Sequence, residues 1–149
     1  MARTGAKIGM KTAFKREHPV GSATYVAVAE VKSLGGPSAS RDTVDATHMQ
    51  SDDDHAEYIA GVPDGGEVNV VLNFRPEHVT QGAVSGLYHD HENGTLRNWR
   101  IEWPQFTNTP TLDFAGLVTG IEPSSSTRDV IALAVKIKVS GKLTKTNFA

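Results

Sequence analysis

Cysteine is missing from all 149 residues, which excludes disulfides, thiolate metal centres and cysteine nucleophiles together. Also missing is any apolar run near the roughly 20 residues a membrane helix needs, so a soluble chain is expected. Met1 to Lys15 is basic and polar with no apolar segment behind it, so no secretory signal is expected and assembly in the cytoplasm is the default. The net charge is only −2, which gives no electrostatic reason to wrap nucleic acid on a basic surface. Repeats and low-complexity segments are lacking as well.

Catalytic patterns are equally scarce. "GLVTG" lacks the serine of a nucleophile elbow, and neither "GGPSAS" nor "PSSS" has the strand, turn and helix setting that such a motif needs. The glycine pairs carry no phosphate-loop lysine. His48, His55, His89 and His91 with Asp52, Asp53 and Asp54 could be gathered round a metal, but three adjacent acids alternate in direction and the calcium-loop spacing is absent. These residues read as solvated surface, with no metal, no cofactor and no enzymatic activity expected. Trp99 and Trp103, two apart on a strand, read as core rather than as a stacking platform.

What is present is the composition of a globular protein, 38% hydrophobic and 21% charged, at a length suited to one domain spanning 1–149. Residues 23–34 are β-branched and end at "GGP", as a buried strand does; 40–48 alternate weakly, as an edge or interface strand would. Residues 65–76 put Val68, Val70, Leu72 and Phe74 on one face and Glu67, Asn69, Asn73 and Arg75 on the other. Pro76 and Glu77 then suit a helix start, and Val79, Ala83, Leu87 and Tyr88 recur at helical spacing in the stretch 76–91, with "HDH" (89–91) sitting past the helix end and "ENG" supplying the closing turn. Strands follow over 95–104, 111–122 and 127–142, the last with Ile131, Leu133, Val135, Ile137 and Val139 on one face. Hairpin-like strands with one inserted helix predict a mainly β fold: an antiparallel β-sandwich or barrel with one flanking α-helix.

Two segments fit a free-standing domain poorly. Residues 1–20 carry Arg3, Lys7, Lys11 and Phe14 without sustained periodicity and read as an extended N-terminal arm. Residues 49–64 read as a loop longer than most connections, with Met49, Gln50, Ser51, Asp52, Asp53, Asp54 and His55 followed by apolar Tyr58 and Ile59. Basic arm and acidic loop lie on one chain with opposite charge, so in a self-assembling ring or stack one copy's arm could pair with another's loop. Burying Tyr58 and Ile59 on a neighbour would contribute a few kcal/mol per contact at about 25 cal/mol per Å².

The strings "SRDTVDATHM" (40–49) and "GVPDGGEV" (61–68), within a match from Val28 through Pro76 that continues more loosely to "LRNWRIEWP", resemble the major tail tube protein of long, flexible-tailed bacteriophages. The resemblance implies hexameric rings stacked into a hollow tube through which DNA passes without specific binding. It also implies a loop at 49–64 and an arm that join one ring to the next, and tape-measure, tail terminator and tail-tip proteins as partners in the virion tail. An acidic lumen is implied too, for which Glu67 and Glu102 are the candidates. Larger relatives append an immunoglobulin-like domain, which a chain of this length is expected to lack. The alternatives are a tail terminator or other tube-like ring protein, and a small carbohydrate- or metal-binding β-sandwich.

Overall fold

The computed structural model describes residues 4–149. Among these residues, nine strands and one α-helix run in the order β1 (Ala13–Glu17), β2 (Tyr25–Ala27), β3 (Val31–Gly35), β4 (Ser40–Asp45), β5 (Tyr58–Asp64), β6 (Glu67–Asn73), α1 (Leu87–Asn93), β7 (Arg97–Glu102), β8 (Thr111–Ser124) and β9 (Ala132–Thr146). Seven of the strands form one antiparallel sheet in the order β2-β1-β7-β8-β9-β6-β3, while β4 and β5 pair only with each other. The sheet must be rolled. Its two outermost strands, β2 and β3, are joined by just Val28, Ala29 and Glu30, a link that spans at most about 14 Å when extended. That link is bonded to both sides: Val28 N–H donates to the Phe14 carbonyl on β1 at 2.9 Å, and the Glu30 carbonyl accepts from Asn73 N–H at 3.0 Å. The result is a barrel with a seam between β3 and the start of β1.

Period-two alternation fills the interior. Val68, Val70 and Leu72 from β6, Trp99 and Ile101 from β7, Leu112, Phe114 and Val118 from β8, and Leu133, Val135, Ile137 and Val139 from β9 are all buried, with Leu87 of α1 packed among them. Each such side chain stabilises the fold by about 1.5–3 kcal/mol. The expected strands at 65–76, 95–104 and 111–122 are present, as is a helix closed by Gly94 in the left-handed region at φ 59°; the strand expected over 127–142 begins only at Ala132, so Ile131, expected on its buried face, lies before it and is exposed.

Four further expectations need correction. The arm does not extend to residue 20: β1 lies between β2 and β7, and Phe14 is a core residue stacked on Trp99 with ring centroids 5.4 Å apart. The strand expected over 23–34 breaks at Val28–Glu30, where Glu30 at φ 54° turns the chain from one sheet edge to the other. The helix expected within 76–91 is confined to Leu87–Asn93. Residues 76–86 instead form successive turns pinned by the Gln81 side chain, which donates to the Ala29 and Asn73 carbonyls at 3.2 and 3.0 Å and accepts from Arg75 N–H at 2.7 Å. Gly86 is needed there, since a Cβ would lie 2.4 Å from the Gly82 nitrogen. Val79, expected on the buried face, is 69% exposed. Finally, residues 58–64 of the expected loop are a strand, so the true tip is shorter than 49–64.

Candidate assembly surface: the acidic hairpin

β4 and β5 form a hairpin whose strands contact chiefly each other. Its register sets Val44 opposite Ile59, Asp45 opposite Tyr58 and Ser40 opposite Asp64. Every residue of β4 is exposed, and in β5 only Gly61 is even half-buried. Val44, Tyr58, Ile59 and Val62 are therefore large apolar side chains facing solvent, at 50%, 61%, 58% and 81% exposure. A two-stranded ribbon with neither face covered is marginal by itself.

The tip is stitched by short-range polar bonds. Ala46 N–H donates to the Glu57 carbonyl and Glu57 N–H to Thr47 Oγ1, both at 2.8 Å. Ser51 Oγ donates to the Glu57 carboxylate at 3.0 Å, and His48 Nε2 lies 3.4 Å from the same group. Asp52–Asp54 form one 3-10 turn, with Asp53 and Asp54 in the left-handed region at φ 54° and 57°, a conformation aspartate tolerates better than most residues. Met49 at the apex is fully exposed. The Thr47 hydroxyl and amide hold the Asp45 carboxyl below its ordinary range, and the Gly66 amide with Lys138 does the same for Asp64. The hairpin thus projects apolar side chains and fixed negative charge together.

The expected site residues fall into three groups. Met49, Gln50, Ser51, Asp52, Asp53, Asp54, His55, Tyr58 and Ile59 lie together on this hairpin, the first seven in its tip and Tyr58 and Ile59 on β5 rather than in the expected loop. Of the arm, Lys7 and Lys11 are exposed, Phe14 is buried in the core, and Arg3 lies outside the described residues. Of the carboxylates, Glu102 is paired with Lys15 at 3.0 Å, whereas Glu67 is exposed and forms no ion pair among the described residues.

A buried charge cluster escaped the sequence reading. Asp90, placed past the helix end by its "HDH" context, lies inside α1 and is fully buried. It accepts from Arg16 Nη2 at 2.7 Å and from Arg97 Nε and Nη2 at 3.1 and 2.9 Å. Arg97 Nη1 also donates to the Glu17 carbonyl. Burial lowers the Arg16 pKa while Asp90 pulls it back up. The only sequence signal was charge at inward positions of β1 and β7. Burial alone would raise Glu17, but the Gly21 and Ala23 amides, at 2.7 and 3.1 Å, and the Asn98 amide hold it below the ordinary carboxylate range. The cluster bolts α1, β1 and β7 together.

Trp99 is fully buried with Nε1 donating to the Gly116 carbonyl at 3.2 Å, so it cannot join Trp103 in a sugar-stacking face. Among the described residues, no three His, Cys, Asp or Glu side chains converge as a metal site requires.

A family model described as "Lambda phage tail tube protein, TTP" matches residues 9–146. No curated protein sequence matches the chain. Among solved structures, a chain of the virion of a native gene transfer agent particle aligns with TM-score 0.75 at 17% identity, covering 95% of this chain and 99% of that one. A chain from the tail of an empty GTA particle, refined helically with C6 symmetry, aligns with TM-score 0.74 at 18% identity over 95% and 99%. The SPP1 tail tube aligns with TM-score 0.62 at 12% identity over 93% of this chain and 77% of that one.

Proposed function

Because the chain belongs to the lambda phage tail tube protein family and is a structural subunit of such a tube, we propose that six copies close into a ring and that rings stack through the β4–β5 hairpin. The observation that carries this reading is the uncovered hairpin: Val44, Tyr58, Ile59 and Val62 stand in water unless another copy covers them. The gene transfer agent tail with the same fold has C6 symmetry, which supports six as the ring number. Closed rings need a head-to-tail contact repeated by a fixed rotation. The free edge of β2, at one end of the sheet order, offers unpaired backbone for such a contact.

In this reading the lumen conducts DNA without binding it, since wall carboxylates repel a polyanion. Glu67 suits that wall better than Glu102, whose charge Lys15 already offsets. The leader through Thr12, with Lys7 and Lys11, supplies further contacts between rings. The finished tube sits in the virion tail after assembly in the host cytoplasm, with tape-measure, terminator and tail-tip proteins as its other partners.

Negative-stain electron microscopy of the concentrated protein tests the reading. Stacked rings are expected; a globular monomer under every condition, including with a tail-tip initiator, would overturn it.

A further inference from the structure

The seam of the barrel is an open groove. β1 pairs with β2 only through Lys15, Arg16 and Glu17, so its first residues and the preceding turn face β3 across a gap. A cavity of about 600 Å³ occupies that gap, with Met10, Val31, Leu34 and Trp103 in its lining and Lys11 and Lys32 among the same residues. Lys11 and Lys32 are exposed and form no ion pair among the described residues. The groove therefore offers an apolar floor, an unpaired strand edge on β3, and two uncompensated cations.

The hairpin tip has the complementary character. Met49 is an unbranched, fully exposed side chain, of the kind that adapts to irregular apolar hollows. Within five residues of it stand Asp52, Asp53 and Asp54, all exposed. We infer that the groove between residues 8–12 and β3 is the receptor for the hairpin tip of a second copy, with Met49 seated against Met10, Val31 and Leu34, and the aspartates against Lys11 and Lys32. The inference rests on the coupling role proposed for the hairpin and adds to it the surface that receives the tip. Oppositely charged rims steer the approach and fix the register, and the apolar contact holds it.

The absence of cysteine makes the test direct. Full-length chains carrying Met49→Cys or Met10→Cys alone are mixed, assembled and oxidised. A disulfide-linked dimer that forms in mixed tubes, and in neither chain assembled by itself, is the expected result. Mixed tubes without that dimer overturn the groove assignment and leave the coupling role standing. Tubes from a chain lacking residues 50–57 overturn the coupling role, and the groove with it. Should the cysteine chains not assemble, charge reversal decides: Lys11→Glu with Lys32→Glu abolishes tubes, and adding Asp52→Lys with Asp53→Lys to the same chain restores them. Failure of that restoration, with the monomer still folded, refutes the pairing.

Discussion

Arg16 reaches Asp90 across 74 residues of sequence, Nη2 to Oδ2 at 2.7 Å, with both side chains sealed from solvent. This pair, completed by Arg97, ties the only α-helix among the described residues to two neighbouring strands. A buried ion pair is costly to assemble and far more costly to break, because the surviving partner stays charged in a poor solvent.

Asp90→Ala therefore leaves two guanidiniums uncompensated in the core. The expected loss is about 3–5 kcal/mol, read as a lower urea midpoint with the slope unchanged. A midpoint within error of the parent would show that water reaches the cluster.

Phe14→Ala distinguishes core from arm. Stacked on Trp99 at 5.4 Å, Phe14 should cost about 3–5 kcal/mol of monomer stability when truncated. If the variant melts like the parent and fails only in assembly, Phe14 is an arm contact after all.

Gln81→Ala removes three bonds to backbone groups of Ala29, Asn73 and Arg75. At about 1 kcal/mol each, the loss is roughly 3 kcal/mol, and residues 76–86 should become the first site of limited proteolysis. Unchanged cleavage would mean the turns hold themselves.

Glu17 predicts a pH dependence of definite sign. Its carboxyl is held below the ordinary range by the Gly21 and Ala23 amides and Asn98, against the opposing effect of burial. A depressed folded pKa contributes stability above the unfolded value, and that stability fades as pH falls through the folded value. Thermal melts of the parent should drop on acidification below about pH 4.3, and Glu17→Gln should flatten part of that slope. Parallel curves would remove Glu17 from the account.

The long strands were legible because their cores are built on simple alternation: Val68, Val70 and Leu72 on β6, and Leu133 through Val139 on β9, are apolar at every second position and all are buried. Gly94 was legible for the same local reason, a left-handed helix end. β1 was not. Its inward residues include Arg16, whose burial depends on Asp90, and no local pattern announces a partner so far along the chain. Residues 76–86 misled in the opposite direction, since their spacing is helical but Gln81 and Gly86 commit the backbone to turns. The acidic segment was found as the exceptional feature, yet its second strand was hidden: β5 has no buried face to show, and Pro63 and Gly61 dilute what alternation it has.

Hydrogen exchange of the hairpin, residues 40–64, compared between monomer and assembled tubes, tests the central claim most directly. The account predicts rapid exchange in the monomer, where neither face of β4–β5 is covered, and strong protection in the tube, while β8 and β9 are protected in both. Equal protection of the hairpin in the two states would contradict it, for the hairpin would then be complete without a neighbour.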